Sequence, residues 1–90
     1  MYYSIKGKVT NLGKRFVIVE ANSIGYEIIV SKPANYQVGE NIFLYLYHVI
    51  KQDDEYLVGF DSKDEEEAFK LLLNVQGIGP KSAMQILSNG

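Results

Sequence analysis

The chain has no cysteine, which excludes a disulfide framework and a thiolate metal centre. Its single histidine, His48, lies in an apolar run with no serine or cysteine at a suggestive spacing. Packing is therefore its expected role, and no catalytic residue is assigned. The longest apolar run, Ile42 to Ile50, is too short for a membrane span and contains Tyr45, Tyr47 and His48. No signal peptide opens the chain, and there is no low-complexity tract or internal repeat. These absences point to a soluble cytoplasmic protein with no membrane partner.

An apolar fraction of 47% over 90 residues can support a core in one compact unit. A body of this size buries only about 60% of its unfolded surface, so stability is expected to be modest unless it oligomerises. A net charge of −2 does not advertise nucleic-acid binding, but the distribution is segregated. Residues 1–51 carry six Lys/Arg against three Glu, residues 52–67 one Lys against eight acids, and residues 68–90 two Lys and no acid. Two basic blocks thus flank an acidic one.

The first 60 residues read as five short antiparallel strands. Residues 2–10 alternate, with Tyr3, Ile5 and Val9 on one face and Ser4, Lys6, Lys8 and Thr10 on the other. A turn over Asn11 to Lys14 precedes a β-branched strand from Phe16 to Ala21. The pair Asn22-Ser23 makes a tight hairpin into Ile24 to Val30. A loop over 31–40 contains Pro33 and Gly39, and strands over 41–51 and 55–60 follow. This pattern suits a five-stranded Greek-key barrel of the OB type, with a loop at 31–40 too short for more than a turn of helix. The expected division is a barrel over residues 1–61 and a helical pair over 62–90.

Ser62-x-x-Glu65 is a capping box, and Asp64, Glu65, Glu66 and Glu67 are placed where the helix dipole favours acids. Phe69, Leu72, Leu73 and Gln76 continue at helical spacing, so a helix is expected over 63–75. The acid cluster has a structural explanation and no function is given to it.

Gln76-Gly77-Ile78-Gly79-Pro80-Lys81-Ser82-Ala83 then forms a glycine hairpin into a second helix. The glycines allow positive φ and close approach of an outside backbone. Pro80 suits the first helical position, and Ala83 lets the helices pack closely. Such a hairpin directs free N–H groups outward at a helix N-terminus, a seat for phosphate. Lys81 opposes the helix dipole, so a bound anion explains it better than folding does. The competing explanation is a helix C-cap at Gly77 followed by an ordinary turn. A nucleotide-binding loop is excluded: Pro80 and not glycine precedes the lysine, and a helix rather than a strand comes before. The candidate phosphate contacts are Gly77, Gly79, Lys81 and Ser82.

A second constellation is Gln52-Asp53-Asp54-Glu55, between the last two strands. Asp-rich turns are common for conformational reasons alone. Beside a phosphate-binding hairpin, however, carboxylates at a projecting tip would repel a phosphate backbone. Adjacent acids on an exposed turn diverge, which argues against a two-metal nuclease centre. Seven tyrosines could offer stacking platforms for single strands, although alternating strand positions favour them for packing. An OB-type single-strand binder and a structural self-assembly module therefore remain open as alternatives.

In sequence order these pieces resemble the N-terminal part of the RuvA family of Holliday junction branch-migration proteins. Met1-Tyr2 through Lys6-Gly7-Lys8 is similar to its opening strand, and Ile24-Gly25-Tyr26-Glu27 to its G-Y-E segment. Asp53 and Asp54 fall on its acidic pin, Val58-Gly59-Phe60 on its Y-G-F segment, and Leu72 through Ser88 on its first helix-hairpin-helix. The resemblance implies a non-catalytic, cofactor-free binder of four-way DNA junctions. It implies a homotetramer with the pins clustered at its centre, and a hexameric ATPase motor, RuvB, recruited through a C-terminal domain. It assigns the pin to Asp53 and Asp54, helped by Glu55; Lys51, beside that tip, is a further candidate DNA contact. The first acid of the family's pin is Gln52 here. With no second hairpin motif and no motor-binding domain, the chain reads as an N-terminal fragment, expected to lack motor recruitment and to bind DNA more weakly than the whole protein.

Overall fold

The computed structural model describes residues 1–90. Five strands are followed by two helices: β1 (Ser4–Leu12), β2 (Phe16–Ala21), β3 (Ile24–Ile29), β4 (Asn41–Ile50), β5 (Glu55–Phe60), α1 (Lys63–Leu73) and α2 (Pro80–Ser88). The strands close into a barrel in the order β1-β2-β3-β5-β4, with β4 returning to β1. This is the OB-type barrel expected. The strands are not all antiparallel, because β3 and β5 run parallel through Ile28↔Leu57 and Ile29↔Val58. The reason is parity: five strands of alternating direction cannot close a ring without one parallel neighbour pair.

Asn22 and Ser23 both have positive φ, at 54° and 67°, the geometry that matches strand twist in a two-residue hairpin. The 31–40 loop contains a single turn of 3-10 helix, Pro33–Asn35. At β1 the expected turn over 11–14 is displaced. A bulge between Val9 and Asn11 lets the strand continue to Leu12, which pairs with Val17. The chain then turns at 13–15, where the Gly13 N–H donates to the Phe16 carbonyl at 2.8 Å. Alternation alone cannot register an inserted residue. Tyr3 also leaves the inward set. It precedes β1 and is 61% exposed, with its ring edge-on to Tyr45 and beneath the Lys63 ammonium.

Two cores result. Ile5, Val17, Val19, Ile28, Val30, Leu44 and Leu46 fill the barrel. Val49, Val58, Phe60, Phe69, Ala83 and Met84 join the barrel end to both helices. Phe60 and Phe69 are fully buried with ring centroids 5.0 Å apart. Ala83 is fully buried at this junction, as its small size led one to expect.

The capping box is half formed. The Ser62 hydroxyl accepts from the Glu65 N–H at 3.1 Å, but the Glu65 carboxylate accepts from the Ser31 hydroxyl at 2.6 Å. A bond internal to the helix is thus exchanged for one that ties α1 to the loop after β3. Glu66, read with its neighbours as a dipole-facing acid, is buried and sits between Lys63 at 3.4 Å and Lys70 at 3.8 Å. Helix α1 stops at Leu73, two residues early, with the Asn74 and Val75 N–H groups reaching back three residues rather than four.

Phe69→Ala should cost about 3–5 kcal/mol, measured by urea unfolding, because its site is closed on both the barrel and helix sides. Tyr36 gives a pH signature. Burial first, then the charges of Asp61, Glu65 and Glu40, push its phenol from 10.0 up to about 12. A pKa raised on folding favours the protonated folded state, so this contribution is present below about pH 10 and lost as pH rises towards 12. Urea unfolding between pH 9 and 12 should therefore show a shallower loss of stability in Tyr36→Phe than in the parent.

Candidate nucleic-acid interface

The hairpin between α1 and α2 is built on one apolar anchor. Ile78 packs against the helix–barrel core, while Gly77 and Gly79 on either side of it are exposed. Its N–H donates to the Val75 carbonyl at 3.1 Å, which closes the turn. The two glycines have different reasons for being there. Gly77 has φ +87°, a conformation that disfavours a side chain. Gly79 is the N-cap of α2 with φ −94°, which any residue adopts, so the expectation of positive φ holds at Gly77 alone. A Cβ at either glycine would meet nothing within 4 Å. Neither side chain is absent for the sake of internal packing, and both positions leave the backbone open to an outside group.

Pro80 occupies the first helical position. The first helical bond runs from the Ala83 N–H to the Gly79 carbonyl at 2.9 Å. The N–H groups of Gly79, Lys81 and Ser82 have no backbone acceptor, and all three residues are exposed. Three free donors at the positive end of a helix are an arrangement able to receive an anion.

The tip between β4 and β5 is closed by the Lys51 N–H donating to the Asp54 carbonyl at 2.7 Å. Residues 51–55 are all exposed. The acids there have three different environments. Asp53 has no ionic or hydrogen-bonded partner. Asp54 accepts from the Glu55 N–H through Oδ1 at 2.9 Å and places Oδ2 3.8 Å from the Lys81 Nζ. Glu55 turns back along the sheet, with Oε2 2.7 Å from His48 Nε2. His48 is covered in turn by the Tyr2 ring at 5.3 Å. Lys51 has no acidic partner within 4 Å.

The hairpin lysine and the tip, read separately in the sequence, are therefore adjacent. Tyr56 completes the contact: its ring centroid lies 5.0 Å from the Lys81 ammonium. Burial, and secondarily the charge of Asp54, raises the Tyr56 phenol above its usual pKa, and its hydroxyl is enclosed without a hydrogen-bond partner. Sequence reasoning placed Tyr56 among packing tyrosines and missed this role. Nothing local signals it, since the contact spans 25 residues and depends on how the helices dock.

Of the other tyrosines, Tyr26 and Tyr36 pack on the barrel core and Tyr45 and Tyr47 on the helix–barrel core, while Tyr2 and Tyr3 are exposed with their rings edge-on to Tyr26 and Tyr45. No three His, Asp or Glu side chains converge as a metal-ligand set, and no helix is long and apolar enough to cross a membrane.

The fold and site together define an OB-type barrel carrying a helical hairpin whose exposed N–H groups and lysine stand beside an acidic tip. Residues 1–59 match the family described as RuvA N terminal domain. The Holliday junction branch migration complex subunit RuvA of Clostridium beijerinckii is 49% identical over 94 residues, covering 98% of this chain and 46% of that protein. Subunits of the same name from Listeria monocytogenes and Streptococcus equi subsp. zooepidemicus are 42% and 39% identical, over 100% and 98% of this chain. The chain belongs to the RuvA N-terminal domain family. It spans about half the length of the curated relatives it matches, 46% in each of these three.

Proposed function

We propose that this chain binds four-way DNA junctions by structure and not by sequence, as the DNA-binding part of a branch-migration complex in recombination and repair. The single observation that supports this reading is the 3.8 Å approach of Lys81 to Asp54, which sets an anion seat against an acidic barrier. A phosphate seated on the N–H groups of Gly79, Lys81 and Ser82 lies next to the Asp53–Asp54 tip. Two unit charges about 4 Å apart interact by roughly 1 kcal/mol in water and more near a protein surface. A strand held at the hairpin is therefore turned away from the tip. Continuous duplex would have to run phosphates past the acids, whereas strands already parting at a crossover avoid them.

In the free chain, Asp54 stands in for that phosphate at Lys81. An exposed pair of this kind is worth about 0–1 kcal/mol, so a DNA phosphate with several donors displaces it readily. Gly77 keeps the hairpin open to the strand, Lys51 adds charge at the tip, and Glu55 supports the tip through His48. On this reading residues 1–61 supply the barrier and residues 62–90 the grip. The chain acts without a catalytic group or cofactor, in the cytoplasm. Four copies set their tips around the crossover, and the hexameric ATPase motor RuvB supplies the work of migration to the full-length protein.

Lys81→Ala should weaken junction binding to a similar degree for unrelated sequences and lower the salt slope by about one. Fluorescence anisotropy from 50 to 200 mM salt checks both. Asp53→Asn with Asp54→Asn should leave junction affinity intact or higher and bring duplex affinity towards it. An unchanged junction-to-duplex ratio in that variant would remove the barrier role.

A further inference from the structure

A groove of about 600 Å³ runs between α2 and the outer surface of β2 and β3. Lys81 lines it from the first turn of α2, and Lys14 and Arg15 line it from the turn between β1 and β2. Met84 and Ile29 contribute apolar surface, and Glu27 is its only carboxylate. Three cations against one acid is a marked local excess in a chain of net charge −2. The ion pairs of the structure are His48–Glu55, Lys63–Glu66, Lys70–Glu66 and Lys81–Asp54. Lys14, Arg15 and Glu27 take part in none of them.

The turn that carries Lys14 and Arg15 is held at both ends. Gly13 donates to Phe16 at 2.8 Å, and the Arg15 carbonyl accepts from the Val30 N–H at 3.0 Å. The two cations thus stand on a fixed frame, unpaired, over a concave surface where field lines concentrate. None of Asp53, Asp54 and Glu55 lines the groove.

We infer that this groove is a second seat for the phosphodiester backbone, continuous with the hairpin seat through Lys81, and that Lys14 and Arg15 are its anion contacts. This rests on the reading that Lys81 holds a DNA phosphate. A strand turned away from the acids at Lys81 enters the groove along α2, where its next phosphates meet the two cations and its sugars meet Met84 and Ile29. Glu27 tunes this affinity downward.

The test is anisotropy with a labelled four-way junction over a salt series. It uses the parent chain, Lys14→Ala/Arg15→Ala, Lys81→Ala, Glu27→Gln, and Lys6→Ala/Lys8→Ala as an equal loss of charge on β1 outside the groove. Thermal unfolding of each variant verifies the fold, and Lys14→Gln/Arg15→Gln replaces the alanine pair if that pair unfolds. The expected result is a loss of roughly tenfold or more for Lys14→Ala/Arg15→Ala, with a salt slope lower by nearly two, since each phosphate contact contributes about 0.9. Lys6→Ala/Lys8→Ala should lose far less, and Glu27→Gln should bind several-fold tighter, a gain that misfolding does not produce. Equal losses in the two double variants, or no gain from Glu27→Gln, would overturn the groove seat. If Lys81→Ala alone weakens binding, the groove seat fails and the hairpin reading stands. If the parent chain binds no junction, both fail.

Discussion

Phe69 against Phe60 is the contact on which the arrangement of this molecule depends. The last residue of β5 and the middle of α1 meet with rings 5.0 Å apart, both fully buried, and Ala83 and Met84 of α2 close over the same cluster. Burying aromatic side chains of this size is worth about 1.5–3 kcal/mol each, more than any exposed ion pair in the chain can supply. Apolar packing therefore decides where the helices lie, and the electrostatic features follow from that placement. Because both helices are anchored at the end of β5, the hairpin between them lies beside the turn that starts β5. The meeting of Lys81 with Asp54 is a consequence of the core.

The charges make a second layer of organisation on that frame. Along the chain the acids are concentrated in one block, yet in space they separate into distinct roles. Glu66 is buried between two lysines, Glu65 ties α1 to Ser31, Glu55 is held by His48, and Asp53 remains unpartnered. Asp54 occupies the boundary, one oxygen on its own turn and the other near Lys81. A single lysine thus stands both in the first turn of α2, beside its free N–H groups, and within ion-pair distance of the acidic tip.

Membership of the RuvA N-terminal domain family covers both parts of this frame. The family match covers the barrel, residues 1–59, while the relatives extend the similarity through the hairpin. The barrel carries the acid tip and Tyr56, and the hairpin carries Lys81 and the exposed N–H groups. The two parts meet where the packing of α1 and α2 on the barrel end brings Lys81 to Tyr56 and Asp54.

Much of the architecture follows from local rules. β-Branched and apolar runs bounded by turn residues placed four of the five strands closely, positive φ at Asn22-Ser23 made the hairpin, Ser62 began α1, and Pro80 began α2. The extent of β1 did not, since a bulge changes register without changing composition. The parallel β3–β5 pair is a property of ring closure and belongs to no single segment. At the site, the identity of the hairpin and the acid tip was written in short motifs, because glycine, proline and lysine at those spacings answer to backbone geometry and charge. Their adjacency was not, nor was the use of Tyr56 or the grouping of Lys14, Arg15 and Lys81 around one groove. Those relations cross 25 or more residues and are set only when Phe69 packs against Phe60, an event whose geometry no local propensity encodes.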